Sequence, residues 1–426
     1  MRNWTKIALF CLVLGQIQVV FAQNNEKEED SWKSKWAISG YHKALYQYNG
    51  INPAFVPQNS PIPLPVVQLN TNDYLYHNRI NARFYGKNFT FAAGMRNRVF
   101  AGYTNSNFDA LRDDGIPPFS GYNDFLDYTH QDGFIPLNIP WFQSNMISAL
   151  SVFDRFYIDL DREKWHLRVG RQRINWGINQ QFNPNDLFNP FNLFDIDYEE
   201  RPGVDAIRYE RYTGLLSSWE ISYAPSDSIK NHVAAFRYRT NYLGYDFQAI
   251  AGKWKTRIAL GGGWSGNIKK AGFSGEFTYF LPYKDLPKIN PAQTNLVLST
   301  SVDHAFLNGF FVSMGYLYNF RGTTDPTLVS LLGGDIGRTS PYNPMPFRHT
   351  ITSAVLFTMG ELTNLTLTIL STPKAEIFIA IPSLSYSINE DLDASIFAQI
   401  FLTDNPFEDQ YTWFSNAIFV RLKQSF

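Results

Sequence analysis

Short segments in which apolar and polar residues alternate recur along almost the whole chain. In DLDASIFAQIFLT, Leu392, Ile396 and Ile400 fall on one face, and Asp393 and Gln399 fall on the other. Successive side chains of a strand point to opposite faces, so such a segment has one face suited to lipid and one suited to water. SGEFTYFL and LLSSWEISY repeat the pattern. The alternation predicts an all-β chain.

The N-terminal residues predict export from the cytoplasm. Arg2 and Lys6 lie ahead of a short apolar run that ends at Ala22. A charged start, a short apolar run and a small residue at its end are typical of a secretory signal peptide, with cleavage here after Ala22. Residues 23–34 are then a short periplasmic segment, and residues 35–426 form a single domain.

Composition narrows the class of protein further. The chain has 36 Phe and 24 Tyr residues, and only 18% of its residues are charged. Its one cysteine, Cys11, lies in the predicted signal peptide, so the exported chain cannot form internal disulfides. After that peptide we find no apolar run of about 18 residues, which excludes a bundle of membrane helices. A closed β-barrel is the other structure that satisfies every backbone group in lipid, and the bacterial outer membrane is its predicted location.

The alternating segments predict a transmembrane, antiparallel, up-and-down barrel. There are eighteen of them, an even number, and a miscounted hairpin would leave sixteen or twenty. They lie near residues 35–47, 75–86, 88–99, 144–160, 163–175, 203–211, 214–224, 230–241, 243–252, 254–264, 271–281, 294–305, 308–320, 347–359, 363–372, 375–387, 391–403 and 412–425.

The connections between these segments alternate in length. Outer-membrane barrels have long extracellular loops and short periplasmic turns, with both chain ends on the periplasmic side. All the long connections here follow odd-numbered segments, as that architecture requires. They lie near residues 48–74, 100–143, 176–202, 282–293, 321–346 and 404–411.

The C-terminal residue is aromatic. Phe426 ends an alternating segment in which Ile418, Val420 and Leu422 share its face, although Gln424 on that face is polar. A terminal aromatic residue on an alternating strand resembles the signal that the barrel-assembly machinery recognises. Phe426 is therefore a predicted contact for that partner.

Cationic side chains recur on the predicted lumen face. Two interpretations remain open: these groups pair with acids such as Asp159, Glu220, Glu276 and Asp303, or they form a track that selects anionic solutes or oligosaccharides. The candidate pore-lining residues are Arg79, Arg83, Arg96, Arg98, Arg155, Arg168, Gln172, Arg237, Arg239, Lys255 and Arg257.

The loop after the fifth segment is unusually rich in phenylalanine. Asn183 is a possible N-cap for a short helix with Pro184 at its first position, while Trp176 is expected in an aromatic girdle. So much apolar surface is not expected to stay in water, so we expect the loop to fold back, either into the lumen as a constriction or against the inner wall, with packing at the surface as the alternative. Its candidate constriction residues are Phe182, Asn183, Asp186, Phe188, Phe191 and Phe194.

This stretch carries a resemblance to a known family. VGRQRINWG, followed by FNPNDLFNP and ERPGVDAIR, resembles the alginate-export outer-membrane barrels and related uncharacterised bacterial outer-membrane proteins. The match covers about 45 residues, Leu167 to Arg208, and implies an arginine-lined conduit in an eighteen-stranded barrel. It carries over a strand-end motif to Arg168, Gly170, Arg171, Gln172, Asn175, Trp176 and Gly177, but it does not carry over the substrate.

Other functional classes receive little support. No common hydrolase or zinc-protease motif occurs, the seven His residues are dispersed, and neither a cofactor nor nucleic acid is expected. Asp195, Asp197 and Glu199 alternate, but without a complete set of calcium ligands. We expect a passive channel for small anionic solutes or oligosaccharides, embedded in outer-membrane lipid, as a monomer or a homo-oligomer. The alternatives are a plugged barrel with a structural or docking role and a transporter of apolar compounds.

Overall fold

The computed structural model describes residues 35–53, 69–115, 123–129, 133–189, 201–283, 293–324, 339–373, 376–405 and 410–426. In these ranges no helix is long and apolar enough to cross a membrane. The chain forms one antiparallel sheet with the following strands: β1 (Trp36–Ile51), β2 (Asn70–Tyr85), β3 (Thr90–Gly102), β4 (Asn138–Gln143), β5 (Ile147–Arg162), β6 (Trp165–Gln172), β7 (Val204–Tyr212), β8 (Ser218–Ala224), β9 (Val233–Tyr242), β10 (Tyr245–Trp254), β11 (Arg257–Ile268), β12 (Ala271–Pro282), β13 (Asn295–Ala305), β14 (Phe310–Asn319), β15 (His349–Met359), β16 (Thr363–Thr372), β17 (Ile377–Ser387), β18 (Leu392–Asn405) and β19 (Gln410–Ser425).

Eighteen of these strands close into a barrel. β1 pairs with β2 on one side and with β19 on the other, which joins the two ends of the sheet. The backbone N–H of Gly40 donates to the carbonyl of Phe426 at 2.9 Å, and the N–H of Phe426 donates back at 3.0 Å. Each barrel strand pairs with its neighbour in sequence, except that β3 pairs with β5 and β4 adds to β5 alone. The predicted all-β barrel of eighteen antiparallel strands is confirmed.

The two ends of the barrel differ in their connections. At one end, which we call the turn end, hairpins such as β9–β10 turn on two residues, with Leu243 and Gly244 both at positive φ, as a tight hairpin requires. At the opposite end, the loop end, residues 173–203 and 320–348 form long connections. The predicted alternation of short and long connections is confirmed.

The two faces of the barrel wall differ in polarity. Ile396 and Leu422 on the outer face are 46% and 49% exposed, as expected for side chains that contact lipid. On the inner face Glu276 and Thr278 are fully buried by chain that lies inside the barrel. The lumen is therefore partly filled by the protein itself.

The wall is irregular between β5 and β7. β6 ends at Gln172, three residues before the predicted strand end, because the chain turns into the lumen there. β4 takes the vacated place and pairs with the loop-end half of β5, whose other half pairs with β6. Pairing is therefore maintained along β5 by a segment of the preceding loop. No alternating pattern marks the six residues of β4, and the sequence did not predict this strand.

Two helices lie on the inner side of the wall near the loop end: α1 (Tyr103–Asp113) and α2 (Phe125–Thr129). The Phe108 and Phe125 rings meet edge to face with centroids 5.8 Å apart, and Leu126 packs on Leu150 and Val152 of β5. Both helices belong to the long connection between β3 and β4. That connection therefore covers part of the inner wall.

Candidate functional site

An arginine cluster surrounds one carboxylate on the inner wall of β2, β3 and β5. A bulge in β5 leaves Asp154 without a cross-strand partner, so that Asp154 and Arg155 both face the lumen. Arg79 donates to both oxygens of Asp154, at 2.7 and 3.0 Å, and Arg96 Nε lies 3.2 Å away. Arg155 Nη1 lies 4.0 Å from the same carboxylate. Three guanidinium groups therefore surround this carboxylate.

The sequence contains a signal for this cluster. Asp154 and Arg155 are consecutive polar residues between Phe153 and Phe156, which breaks the alternation of the strand. Such a break is what a β-bulge produces. Asp154 was consequently absent from the predicted partners of the arginines.

A second group of ion pairs lies on β5 to β9. Arg168 donates to Asp159 at 2.8 Å, and its guanidinium lies 4.4 Å from the centre of the Tyr157 ring. Arg237 donates to Glu220 at 2.6 Å, and Arg239 donates to Glu210 at the same distance. The pairing interpretation therefore describes Arg168, Arg237 and Arg239. Even so, the side chain of Arg239 is 48% exposed.

The remaining candidate residues occupy different surroundings. Gln172 is fully buried, and its amide donates to the carbonyls of Arg168, Gly170 and Ala206, so it caps the end of β6 and does not line open space. Lys255 lies in the β10–β11 turn at positive φ, outside the strands. Arg257 donates to the carbonyl of Gln293 at the loop end.

Arg98 is largely covered by the helical connection. It donates to the carbonyl of Thr129 at 3.0 Å. Its guanidinium also lies 5.3 Å from the centre of the Phe100 ring. This arginine therefore holds the connection against the wall.

Two cavities remain open beside these groups. The larger, of about 460 Å³, is lined by Arg237, Arg239, Gln248 and Asn175, where the chain enters the lumen. The smaller, of about 250 Å³, is lined by Arg79, Arg83 and Arg155 with neutral polar side chains. Arg83 is exposed there, and none of the described carboxylates forms an ion pair with it. Each cavity therefore has an accessible guanidinium group.

The phenylalanine-rich segment lies inside the barrel. We call the described part, residues 173–189, the inward loop. Phe182, Leu187 and Phe188 pack into an apolar cluster with inner-wall residues such as Phe280 and Leu317. Asn183 and Asp186 are buried with them. Phe191 and Phe194 lie outside the described residues.

Two local predictions for the inward loop were wrong. Trp176 is not a girdle residue: it is 1% exposed in the lumen, and its Nε1–H donates to Glu220 at 2.8 Å. Residues 183–187 form a turn and not a helix, with the N–H of Asp186 donating to the carbonyl of Asn183 at 3.1 Å. Both differences have one cause, which is that the segment packs on the inner wall instead of standing above the barrel.

A second chain segment completes this cluster, and the sequence did not predict its role. Tyr342, Met345 and Phe347 precede β15 and pack against the same wall, with Tyr342 stacked on Trp254 at a centroid distance of 6.3 Å. No periodic pattern distinguishes these residues in the sequence. The apolar cluster fills the loop-end part of the lumen beside β8 to β17.

The inward loop also contains a buried carboxyl group. Asp186 Oδ2 accepts from Arg201 at 2.7 Å, and Asp186 is 0% exposed. Burial raises the pKa of Asp186 to about 7, while the Arg201 guanidinium acts in the opposite direction. This carboxyl therefore changes its charge near neutral pH.

In the part of the chain that the structure describes, no three His, Cys, Asp or Glu side chains come together as metal ligands. The acids Asp195, Asp197 and Glu199 lie outside the described residues.

Comparison with known proteins supports the fold. No family model and no curated protein matches the chain. Among solved structures, Pseudomonas aeruginosa OccK5 (OpdH) has a TM-score of 0.55 and 7% identity over 93% of this chain and 100% of that chain. Acinetobacter baumannii OccAB3 has a TM-score of 0.52 and 12% identity over 92% and 99%. These neighbours are outer-membrane porins, and at such low identity the similarity shows a shared porin-like barrel fold. The alginate-export resemblance stays a prediction.

Proposed function

We propose that the chain is an outer-membrane channel through which small hydrophilic solutes pass passively, with a preference for anions, including short anionic oligosaccharides. The observation that carries the proposal is the placement of Arg83 and Arg239 in the two open cavities of the lumen. The predicted export signal, the apolar outer face and the porin-like fold support the location. In this proposal the turn end faces the periplasm and the loop end faces the exterior.

Guanidinium groups line the smaller cavity even though some of them contact a carboxylate. Arg79, Arg96 and Arg155 share the single carboxylate of Asp154, and Arg83 lines the same cavity. Guanidinium groups bind carboxylate and phosphate through paired hydrogen bonds, and rings of cationic side chains favour anions. An anion in the smaller cavity would therefore meet Arg83, with which none of the described carboxylates forms an ion pair.

Planar-bilayer recording under a potassium chloride gradient tests the preference. We expect anion-selective currents from the wild-type chain and a reversal potential closer to zero for Arg83→Gln combined with Arg239→Gln. Arg162→Gln is the control, because Arg162 stacks on Trp165 at the turn end and lines neither cavity. Open channels with an unchanged reversal potential in the double variant would rule out the anion preference while retaining the channel.

One observation favours a second function. The apolar cluster occupies the loop-end part of the lumen, as it would in a plugged barrel with a structural or docking role. Silent bilayers, obtained with protein that still shows the heat-modifiable gel mobility of a folded barrel, would support that function over a channel. Recognition of Phe426 by the barrel-assembly machinery remains part of the proposal in both cases.

A further inference from the structure

A single carboxyl group of the wall contacts the inward loop at two points. Glu276, on the inner face of β12, is 0% exposed. Its Oε2 accepts from the backbone N–H of Ile178 at 2.6 Å, and its Oε1 accepts from the N–H of Asn185 at 3.5 Å. A buried carboxyl oxygen that lacks a hydrogen-bond donor is costly. Glu276 and these two N–H groups therefore satisfy each other.

The neighbouring strand leaves space for this contact. Gly261 and Gly263 of β11 lie on the inner face, and Gly263 is the cross-strand partner of Glu276. A Cβ on Gly261 would come within 2.6 Å of Asn185 Oδ1, and one on Gly263 would come within 2.7 Å of Ile178 Cδ1. Heavy atoms do not pack at such distances, so the two glycines leave the space that the side chains of Asn185 and Ile178 occupy.

Side-chain contacts of Asn185 hold the same part of the inward loop against the wall. Its Nδ2 donates to the carbonyl of Gly262 at 2.9 Å, and its Oδ1 accepts from the Thr278 hydroxyl at 2.7 Å. The hydroxyl of Thr278 also donates to the carbonyl of Pro184 at 2.8 Å. The glycines of β11, the hydroxyl of Thr278, the carboxyl group of Glu276 and the amide of Asn185 thus meet where the inward loop contacts the wall.

We propose that Glu276 is the positioning residue of the constriction, and that its two hydrogen bonds to the backbone hold the inward loop against β11 and β12 and so set the width of the pore. This inference rests on the proposed channel function. Glu276 acts on solutes through the loop and not by contact, since the loop covers it completely.

Two substitutions separate the reach of the side chain from its carboxyl chemistry. Glu276→Gln replaces the carboxyl group with an amide, while Glu276→Asp keeps the carboxyl group and shortens the side chain by one methylene group. If Glu276 positions the loop, both variants release it, and single-channel conductance rises about twofold or more while barrel mobility on gels is unchanged. A rise in Glu276→Gln alone would show an effect of the carboxyl group that does not depend on its reach and would overturn the positioning role. Asp303→Asn, on the inner face of the adjacent β13, is the control and is expected to leave conductance unchanged.

A disulfide between the inward loop and β11 should hold the loop against the wall in the Glu276→Gln variant. A Cβ at position 261 would contact Asn185 Oδ1, which is only two bonds from the Cβ of Asn185. Cysteines at positions 185 and 261 would therefore lie close to the Cβ separation of about 3.5–4.5 Å that a disulfide needs. The chain has one other cysteine, Cys11, in the predicted signal peptide. In Glu276→Gln carrying Asn185→Cys and Gly261→Cys, oxidation should return conductance to the wild-type value, and reduction should raise it again.

The outcomes distinguish the two proposals. Silent wild-type protein with barrel mobility overturns the channel itself. Open wild-type channels whose conductance does not change in Glu276→Gln, or does not return on cross-linking, overturn the positioning role of Glu276 and leave the channel intact.

Discussion

Asp186 shows how one buried side chain can make the inward loop sensitive to pH. Its pKa is raised by burial to about 7, above the ordinary aspartate value of 3.8. A carboxyl group whose pKa is raised in the folded state favours that state when protonated. The stabilisation is complete below the ordinary value and is lost as pH rises through about 7. Loop docking should therefore be firmer at mildly acidic pH.

We expect wild-type channels to show lower and steadier conductance at pH 5.5 than at pH 8, because protonated Asp186 favours the docked loop. Asp186→Asn keeps the shape of the side chain and removes its titration near neutral pH, so its conductance should vary less over this range. Bilayer recordings of both proteins at the two pH values provide the measurement. Equal pH dependence in the two proteins would assign the titration to another group.

At the scale of elements, an ion pair joins β6 to β7 close to the point where the chain leaves the wall. Arg171 and Asp205 are cross-strand partners on β6 and β7, joined by two hydrogen bonds of 2.9 and 2.7 Å. The same Asp205 accepts from the backbone N–H of Ile135, and Arg171 donates to the Ile135 carbonyl at 2.5 Å. The pair therefore fastens the segment leading into β4 as well as joining β6 to β7.

Removing one partner of this buried ion pair should destabilise the folded barrel. We expect Asp205→Asn and Arg171→Gln each to lower the free energy of unfolding by about 3–5 kcal/mol, because each leaves a buried charge without its partner. Urea unfolding in lipid vesicles, followed by tryptophan fluorescence, measures the change. Arg162→Gln at the exposed turn end should change stability little. A loss of less than about 1 kcal/mol would mean that the β4 segment is held mainly by its pairing with β5.

The strands were predictable from sequence because their signal is local. All eighteen barrel strands fall within a few residues of the alternating segments, since lipid on one side and a polar lumen on the other impose the two-residue period. The end of β6 and the existence of β4 were not predictable in the same way. Residues after Gln172 leave the wall because the inner faces of distant strands offer apolar surface to Trp176 and Phe188. That preference depends on contacts between segments far apart in the chain.

At the scale of the whole molecule, the barrel has an apolar core inside its lumen. Inner-wall residues such as Phe280, Val297 and Leu317 are 0% exposed because the inward loop and the segment before β15 cover them. The sequence predicted the inward cations and offered an inward-folded loop as one of two possibilities. It did not predict that part of the inner wall is apolar, because lumen positions were expected to be polar and these residues lie near strand ends, where alternation is weakest.

The inward loop occupies the lumen and also covers apolar residues of the wall, which leads to a prediction for its removal. Replacing residues 177–188 with a short glycine–serine linker should raise conductance more than Glu276→Gln does, because the linker removes the loop from the lumen instead of only releasing it from the wall. It should also lower stability, since each large apolar side chain returned to water costs about 1.5–3 kcal/mol and several wall residues lose their cover. Conductance and urea unfolding, measured on the same preparation, test both effects. Higher conductance without loss of stability would mean that the segment before β15 covers the apolar wall alone, whereas loss of stability without higher conductance would place the narrowest part of the pore elsewhere.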